Sequence, residues 1–370
     1  MDPLIDAKDL GIYPDNRSDR FRRVQSSLAD ETSYSTASTS LVLGDSLEIL
    51  KKIPDRSVDL VLTDPPYHST KKHNIVGDRA FDSDDEFLAW MNEYLQQFRR
   101  ILTTNGSLYL FCSSSMAPFL YCNAAQSFTM HNLISWSKPN EPGYDGWKQK
   151  MNKTALRTWY PHSERIIFCS PAYDGNLRKN FFGQYLRAAR HLCQLSSNRL
   201  TELVGAYGSV NNGGAVSNWE TGRNIPSRVQ WAKIRDALLA TGRIEFVPDY
   251  EDVIRAFEVN PDHVFIDVWD FMNVRQYKGK HPAEKPQDML KHIISTSSYE
   301  GDIVLDCFSG SGSTAKAAIS LNRKAIGIEI DQHWHNYAHR NVHQLTKAEI
   351  SVANAESRPP ITENLPLFCL

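Results

Sequence analysis

The segment Thr63–Tyr67 places a carboxylate, two prolines and an aromatic ring at the end of an apolar run. The exocyclic amino group of a nucleic-acid base is a poor nucleophile, because its lone pair is delocalised into the ring. The carboxylate of Asp64 and the main-chain carbonyl of Pro65 can each accept one N–H bond of such a group and ready its lone pair for attack. Pro66 stiffens the turn, and Tyr67 offers a face on which an extruded base can stack. Taken alone, the short motif is more often an ordinary Asp-Pro turn.

A second segment, Val304–Ala315, has the pattern of a strand that leads through a glycine loop into a helix. Gly310 and Gly312 would let the backbone approach a bound nucleoside closely. Glu329 ends the next apolar run, where a carboxylate can accept both hydroxyls of a ribose. The pattern suits a nicotinamide dinucleotide about as well as S-adenosylmethionine, and an ordinary tight turn is also compatible with it. The spacing therefore leaves the ligand open.

Strand and helix patterns alternate around both segments, which predicts a mostly parallel sheet with helices on both faces. Chemistry that joins the two segments requires the Asp64 loop and the Gly310 loop to open onto the same side of that sheet. The predicted strands are residues 41–43, 58–62, 107–112, 133–137, 165–169, 303–306 and 324–330, and the predicted helices are 46–53, 85–102, 286–296 and 313–321.

The alternation is interrupted by basic helices, glycines and turns, which predicts an insertion at residues 171–275. The interrupted domain then consists of residues 39–170 and 276–355. Residues 1–38 are polar and rich in Ser and Thr towards their end, which predicts a loosely held arm. The Pro-rich residues 356–370 are predicted to form a tail.

Charge is distributed unevenly along the chain. The net charge is only −2, yet the stretch from Lys138 to Arg243 contains 16 Lys and Arg against 7 Asp and Glu, a local net charge of +9. This asymmetry suits a middle region that meets a polyanion, although an ordinary solvated basic surface would also produce it.

Other features of composition exclude several classes of protein. The six cysteines include no C-x-x-C pair, which argues against a disulfide framework and a structural zinc site. The start lacks the pattern of a signal peptide and no apolar run reaches membrane-spanning length, which predicts an intracellular protein. The histidines of the last predicted helix lack the H-E-x-x-H arrangement, so no metal is expected; they are His333, His335, His339 and His343.

Together, the two segments and their neighbours resemble the DNA amino-methyltransferases of bacterial and phage restriction-modification systems. The resemblance is to the permuted class, in which the D-P-P-Y motif precedes the F-x-G-x-G motif. It covers roughly residues 40–170 and 265–345. The matching pieces, in family order, are Leu43–Asp45, Val58–Tyr67, Glu164–Cys169, His281–Pro286, Asp306–Thr314 and Gly327–Asp331.

The resemblance implies an α/β, doubly wound, Rossmann-like methyltransferase fold with a mainly helical insertion domain. It implies S-adenosylmethionine as methyl donor, double-stranded DNA as substrate, base flipping and a cytoplasmic location. A cognate restriction endonuclease and a homodimer are implied as candidate partners.

Residue by residue, the resemblance implies that the target base is handled by Asp64, Pro65, Pro66 and Tyr67. Asp45 would reach the adenine amino group of the cofactor, Glu329 would hold its ribose, and Lys285 would close over its methionine end. The methionine and ribose side would be lined by Asp306, Phe308, Gly310, Gly312, Ser313 and Thr314. Ser313 or Thr314 could instead cap a helix, and Lys285 could form a surface ion pair.

Within the insertion, residues 184–240 resemble a helix-turn-helix of the phage-repressor type. In that family Trp219 would be a core residue, Glu220 and Gly222 would shape the exit of the third helix, and the residues before Val216 would face bases in the major groove. A helical insertion that merely packs against the domain is the alternative.

Several polar residues of this insertion are candidates for DNA contacts. Asn211, Asn212 and Asn218 are candidates for base contacts because an amide can bond adenine bidentately, and Arg223 is a candidate for a phosphate contact. The pair Gly213-Gly214 departs from the helix-turn-helix pattern. Two glycines weaken a helix by roughly 2 kcal/mol relative to alanines, which predicts a recognition helix that is short or forms only on DNA.

Adenine N6 is the favoured target because the motif opens with Asp rather than the Ser often seen in cytosine-N4 relatives, with cytosine N4 as the alternative. None of the six cysteines follows a proline, so the covalent route of C5-cytosine enzymes is disfavoured. Other classes stay open: a helix-turn-helix regulator with an inactive methyltransferase domain, an enzyme acting on RNA, and a nicotinamide-dependent enzyme. The last would leave the Asp-Pro-Pro-Tyr turn without a role.

Overall fold

The computed structural model describes residues 17–67, 81–139, 152–160, 162–171, 181–206, 214–260, 264–275 and 277–356. Within these residues the strands are β1 Thr32–Ser35, β2 Thr39–Leu43, β3 Val58–Thr63, β4 Leu102–Ser113, β5 Phe128–Trp136, β6 Glu164–Pro171, β7 Val268–Trp269, β8 Ile303–Asp306 and β9 Lys324–Glu329. The helices are α1 Arg17–Ser27, α2 Ser46–Lys52, α3 Asp84–Ile101, α4 Ala117–Ala124, α5 Phe181–Leu192, α6 Ser197–Val204, α7 Gly214–Glu220, α8 Arg228–Leu239, α9 Tyr250–Val253, α10 Gln287–Ser297, α11 Ser313–Ile319 and α12 Gln332–Glu356.

The strands form one mixed sheet in the order β1-β2-β9-β8-β3-β4-β6-β5-β7. The five central strands, from β2 to β4, are parallel, whereas β6 runs antiparallel to both β4 and β5, and β1 runs antiparallel to β2. The predicted mostly parallel sheet is therefore confirmed at its centre. The predicted α/β Rossmann-like class is confirmed as well.

Helices cover both faces of this sheet. Val61 of β3 belongs to a core that includes residues of α1 to α4, whereas its neighbours Leu60 and Leu62 belong to a second core with α10, α11 and α12. This division follows from strand geometry, because successive side chains of a strand point to opposite faces. Burial on both faces explains why β3 has an apolar run instead of alternating polar residues.

The seam between β3 and β8 joins the first and the last part of the chain. Leu60 pairs with Val304 and Val61 with Leu305 in a short parallel ladder. Beside this ladder, the backbone N–H of Ile303 donates to Asp59 Oδ2 at 2.8 Å. The order of the strands thus places the strand before Asp64 directly beside the strand before the glycine loop.

The expectation of a loosely held arm is wrong for residues 17–38. Phe21 and Val24 of α1 are buried. Arg20 donates to both oxygens of Asp59 at 2.7 Å, and Arg17 Nε donates to Asp302 Oδ1 at 2.6 Å. Arg17 and Arg20 therefore pair with buried carboxylates at the end of the sheet opposite to the Asp64 loop. The polar composition of the segment did not indicate these ion pairs.

The predicted gap between the helix at residues 85–102 and the strand at residues 107–112, which contains Asn105 and Gly106, is also wrong. β4 begins at Leu102, directly after α3, and runs through both residues. A Cβ atom at Gly106 would lie 2.9 Å from the carbonyl oxygen of Asp59. The glycine therefore permits a close approach of two strands and does not end a helix.

The helices α5 to α8 have a core of their own. Tyr185, Leu186, Trp219, Trp231 and Leu238 are among its buried residues. This core is separate from the two cores of the sheet. The division of the chain into an insertion and an interrupted domain stays a prediction. No helix within the described residues combines the length and the apolar character needed to cross a membrane.

Candidate active site

The Asp64 loop and the Gly310 loop meet at the carboxyl ends of β3 and β8. Because these strands are parallel neighbours, their following residues emerge at the same edge of the sheet. The hydroxyl of Thr63 donates to Asp306 Oδ1 at 2.8 Å and so connects the two strand ends directly. One cavity is lined from both sides, by residues that include Thr63, Asp64, Phe308, Ser309, Gly310, Ser311 and Thr314. The two loops open onto the same space, as the proposed chemistry requires.

Asp306 is the hydrogen-bonding centre of this junction. Besides Thr63, its carboxylate accepts the backbone N–H of Phe308 at 3.1 Å and the hydroxyl of Thr314 at 2.7 Å. Burial raises the pKa of Asp306 to about 6, and these hydrogen bonds act in the opposite direction. Asp306 therefore fixes the glycine loop against β3, and its oxygen atoms are already used within the protein.

The glycine loop needs its glycines for conformation and for space. Gly310 and Gly312 have φ angles of +49° and +77°, in the left-handed region that favours glycine. A Cβ atom at Gly312 would lie 2.8 Å from the Cβ of Ala338, and one at Gly310 would lie 3.1 Å from the ring of His281. Ser313 begins α11, which has no side-chain cap, because Gly312 occupies the capping position. The alternative of a capping Ser313 or Thr314 is therefore wrong.

Glu329 lies where its predicted role requires, but it has internal partners. Its Oε2 accepts the backbone N–H of Gly310 at 2.6 Å, and its Oε1 accepts the N–H of Asp331 at 2.8 Å. Burial raises the pKa of Glu329 above its usual value, although both backbone bonds oppose that change. A carboxylate oxygen has two lone pairs, so a ribose contact remains compatible with these bonds. The ribose role stays a prediction.

Asp45 and Phe308 lie on the side of the loop next to α2 and α3. Asp45 Oδ1 accepts the N–H of Leu47 at 2.9 Å and caps α2. The ring of Phe308 packs at 5.2 Å from that of Tyr94 and at 5.9 Å from that of Trp90. The structure thus gives Asp45 a capping role, and its predicted contact with the cofactor stays a prediction.

Lys285 is not a surface residue. Its side chain is 9% exposed, its ammonium group pairs with Asp64, and Glu164 Oε2 lies 3.5 Å from the same Nζ atom. The ring centroids of Phe111 and Tyr67 lie 5.0 and 5.8 Å from this nitrogen. The alternative of a surface ion pair is therefore wrong. In this structure Lys285 contacts the base-handling carboxylate, and its predicted place at the methionine end stays a prediction.

Burial controls the protonation of this part of the site. Burial raises the pKa of Asp64, although Lys285 acts to lower it, and Glu164 adds to the increase. Burial likewise raises the pKa of Tyr67 well above its usual value, and the two carboxylates reinforce the effect. Tyr67 is therefore a neutral phenol at physiological pH, as a stacking surface requires.

Three residues of the site had no role in the sequence interpretation. Glu164 and His281 only begin two of the matching pieces of sequence, and Lys138 only begins the basic stretch. His281 packs against Gly310 and lies 4.4 Å from the ring of Trp334, between ring centroids. Burial, reinforced by Lys285 and Lys280, lowers the pKa of His281 to about 4, so the ring is neutral. The segment before Lys285 thus covers the glycine loop.

The residues predicted to contact DNA all belong to the segment 211–223. Asn211 and Asn212 lie outside the described residues. Asn218 lies on α7, and Arg223 is an exposed residue whose Nη1 lies 3.5 Å from the amide oxygen of Asn218. Trp219 is buried, as the resemblance implied.

Two further contacts fix the position of α7 within its helical unit. Glu220 accepts from Arg190 Nε at 2.5 Å, which ties α7 to α5. Gly214 begins α7, and a Cβ atom there would lie 2.7 Å from Thr201 Cγ2 of α6. The glycine that departs from the helix-turn-helix pattern therefore permits close packing of two helices.

Comparisons with known proteins agree with this geometry. A model of the N6/N4 family, described as DNA methylase, matches residues 58–340. The chain belongs to this DNA methylase family. It is therefore a DNA methyltransferase of the N6/N4 class, and its methyl donor is S-adenosylmethionine. The family, the fold class and the methyl donor predicted from the sequence are confirmed.

Individual relatives of this methyltransferase have modest identity over long stretches. The DNA adenine methyltransferase YhdJ of Escherichia coli K12 is 29% identical over 309 residues, which are 82% of this chain and 83% of the relative. The Type II methyltransferase M.HpaI of Haemophilus parainfluenzae is 24% identical over 299 residues, 80% of this chain and 71% of the relative. The solved PvuII DNA methyltransferase, which is cytosine-N4-specific, has a TM-score of 0.50 and 15% identity, covers 88% of this chain and 95% of its own, and shows the fold alone.

The residues of the cavity fit this methyl donor. Phe308, Ser309, Gly310 and Ser311 of the glycine loop line the cavity, so the loop borders the space that the donor would occupy. The same cavity is bordered by the carboxylates of Asp64 and Asp306, which suit a ligand that carries a sulfonium cation.

Proposed function

We propose that this methyltransferase methylates N6 of adenine in double-stranded DNA, on a base turned out of the helix. The observation that carries the proposal is the single cavity lined by both Asp64 and Gly310. The opening Asp of the motif favours adenine over cytosine, and the relative from Escherichia coli is named a DNA adenine methyltransferase. The named cytosine-N4 enzyme shares the fold, so cytosine N4 is the second candidate.

The proposed mechanism assigns a separate task to each residue of the Asp64 loop. S-adenosylmethionine, when bound, supplies an electrophilic methyl group. The carboxylate of Asp64 and the main-chain carbonyl of Pro65 accept the two N–H bonds of the target amino group and orient its lone pair towards the glycine loop. Tyr67 stacks on the extruded base, and Pro66 keeps the turn rigid. Transfer is direct, without a covalent bond between enzyme and base. The nitrogen bonds to the methyl carbon as the carbon–sulfur bond breaks, the donor leaves as S-adenosylhomocysteine, and one proton of the amino group is released to solvent.

Asp306 and Glu329 hold the Asp64 loop and the glycine loop in position. Asp306 holds the end of β3 through Thr63 and the start of α11 through Thr314. Glu329 holds the backbone of Gly310. We assign the cofactor to Phe308, the glycine loop, Ser313, Thr314 and Glu329, with Asp45 on the adenine side.

Helices α5 to α8 are the proposed target-recognition unit. They form a separate core within the stretch of net charge +9, and α7 presents Asn218 close to the exposed Arg223. We assign base contacts to Asn218, and to Asn211 and Asn212 in the preceding segment, with Arg223 on a phosphate. A cognate restriction endonuclease and a homodimer stay predictions; light scattering of the purified chain would test the dimer.

The proposed reaction is tested with unmethylated genomic DNA and methyl-labelled S-adenosylmethionine. We expect the label in N6-methyladenine after digestion to nucleosides, and no detectable transfer by Asp64→Ala. Asp55→Ala is the matched control, because the Asp55 side chain is 71% exposed and pairs with Arg100 outside the cavity. Label in N4-methylcytosine would replace the proposed base, and absence of transfer by the wild type would contradict the proposed function.

A further inference from the structure

Four charged side chains form a cluster at the edge of the sheet beside Asp64; three of them are largely buried, and the fourth, Lys138, is 31% exposed. Lys138 Nζ donates to Glu164 Oε1 at 2.6 Å, and Lys285 Nζ lies between Glu164 and Asp64. The side chains of Asp64, Glu164 and Lys285 are 16%, 13% and 9% exposed. The two acids and the two bases balance, so the cluster carries no net charge.

The position of β6 in the sheet brings Glu164 close to the site. Glu164 begins β6, opposite Ser113 at the end of β4 and Trp136 at the end of β5. Because β6 is antiparallel, its first residue lies at the edge where the parallel strands end. Lys138 follows β5 with a φ angle of +52°, an unfavourable conformation for lysine, and its carbonyl accepts a bond from Asn273 Nδ2 at 3.0 Å. The end of β5, the start of β6 and the contact with Asn273 thus hold Lys138 next to Glu164.

While Lys285 stays on Asp64, it weakens the acceptor that the proposed reaction needs. Lys285 donates to Asp64 Oδ2, and Oδ1 has no hydrogen-bond partner among the described residues, so the target amino group can donate to Oδ1. The adjacent ammonium group nevertheless compensates the negative charge that makes a carboxylate a strong acceptor. A buried ammonium group that loses its partner strongly destabilises the fold. The full charge of Asp64 is therefore available to the base only if Lys285 finds a second acceptor.

Glu164 is that acceptor by geometry. Among the described residues, Asp64 and Glu164 are the two carboxylates that form ion pairs with Lys285. At 3.5 Å, Glu164 Oε2 lies beyond an ordinary hydrogen bond but within a small side-chain movement of one. Burial acts to raise the pKa of Glu164, but Lys285 and Lys138 together hold it below its usual value, so the group is ionised. The neighbouring rings of Phe111 and Tyr67 add attraction without charge.

We propose that Glu164 is a positioning residue that takes Lys285 from Asp64 when the target base enters. This inference rests on the proposed function. Before the base arrives, Lys285 compensates the buried charge of Asp64. When the amino group donates to Asp64, Lys285 moves to Glu164 Oε2, while Lys138 keeps Glu164 in place through Oε1.

The test compares single-turnover methylation of unmethylated genomic DNA with the affinity for S-adenosylmethionine measured by calorimetry. Glu164→Gln keeps the shape of the side chain and removes its charge, so we expect the single-turnover rate to fall by roughly tenfold or more. Glu164→Asp keeps the charge but withdraws it by one methylene, and its rate should lie between those of Glu164→Gln and the wild type. Both variants should bind S-adenosylmethionine as the wild type does.

A double-mutant cycle with Lys285→Gln separates positioning from general support of the fold. If Glu164 acts through Lys285, the effects of Glu164→Gln and Lys285→Gln on the rate are not additive. Asp59→Asn is the matched control, since it removes a buried paired carboxylate at the opposite end of β3, and it should lower the melting temperature without changing the rate per folded molecule.

The outcomes separate the inference from the function on which it rests. A rate for Glu164→Gln within twofold of the wild type, or additive effects in the cycle, would overturn the role of Glu164 while methylation by the wild type upholds the proposed function. If Glu164→Gln does not fold, Glu164→Asp decides: a wild-type rate overturns the inference and a reduced rate with unchanged cofactor affinity supports it. Absence of methylation by the wild type would remove both.

Discussion

At the scale of single residues, the site depends on carboxylates whose surroundings give them different tasks. Asp64 has a charged partner that it must exchange during the proposed reaction, whereas Asp306 has neutral partners that hold it in one position. Thr63, Thr314 and the backbone of Phe308 use its oxygen atoms, and no cation compensates its burial among these partners. Burial therefore makes Asp306 a weaker acid than usual.

The raised pKa of Asp306 predicts a pH dependence of stability. Because its pKa is about 6 in the folded chain and near 3.8 in an unfolded one, the folded state binds more protons between these values. The contribution of Asp306 to the free energy of unfolding therefore falls as pH rises through this range, by about 3 kcal/mol at most. In Asp306→Asn this titration is absent.

Urea unfolding of the wild type and of Asp306→Asn at several pH values between about 4 and 7 checks this expectation. The difference in free energy of unfolding, wild type minus variant, should decrease towards neutral pH. The carboxylates of Asp64 and Glu329 titrate in both proteins, so their contributions to the free energy of unfolding cancel in the difference to first order. Parallel curves for the two proteins would show that burial does not shift Asp306.

Residue types and order were enough to predict the two loops, because Asp64 and Gly310 follow apolar runs that only buried strands explain. The ion pairs could not be predicted in the same way. Whether Lys285 faces Asp64, Glu164 or the methionine end is decided by the antiparallel placement of β6, and the sequence gives no direct signal for that reversal. Similarly, Arg20 and Asp59 are distant in sequence, and only the sheet order shows that they meet.

At the scale of elements, the contact between α6 and α7 shows why a residue that weakens a helix can still stabilise a fold. Gly214 has a low helix propensity, but because it has no side chain, α7 can approach Thr201 of α6. Sequence patterns report propensity along one element. They do not report the distance to the next element, which is why the departure at Gly214 was interpreted only as a weak helix.

Gly214→Ala should therefore destabilise the helical unit through a contact as well as through its φ angle of +55°. We expect a loss of roughly 1–3 kcal/mol, measured by urea unfolding. Gly205→Ala is the matched control, because Gly205 has a φ angle of +64° and no atom within 4 Å of an added Cβ, so it should lose only about 1 kcal/mol.

A second substitution identifies the contact. Thr201→Ser keeps the hydroxyl that donates to the Ser197 carbonyl but removes the methyl group nearest to an added Cβ. In the Gly214→Ala background it should recover part of the lost stability. Equal losses for Gly205→Ala and Gly214→Ala, without recovery by Thr201→Ser, would contradict the close packing of α6 and α7.

At the scale of the whole molecule, the stretch of net charge +9 belongs to a chain of net charge −2, so the rest of the chain carries a net charge of −2 − 9 = −11. Binding to the DNA backbone is then expected to come from the basic part, through exchange of counterions, while the sheet supplies the chemistry. The two contributions can be varied separately because the helices α5 to α8 have their own core.

Arg223→Ala should weaken binding to a labelled DNA duplex of random sequence, measured by fluorescence anisotropy. We expect the slope of log affinity against log salt concentration to decrease in magnitude by about 1, the value for one lost phosphate contact. Arg22→Ala, an exposed arginine of α1 that pairs with Asp19, should leave the slope unchanged. An identical slope for the two variants would remove Arg223 from the phosphate contacts.

The seam between β3 and β8 also has a consequence for biosynthesis. The ribosome completes the strand before Asp64 more than two hundred residues ahead of its neighbour β8, and the whole basic stretch is made in between. Until β8 and β9 emerge, one side of β3 has no strand to pair with, and the methyl-donor pocket lacks the glycine loop that lines it. If helices α5 to α8 recognise DNA as proposed, the recognition unit is therefore complete before the catalytic site, and methylation requires the emergence of β8 and β9.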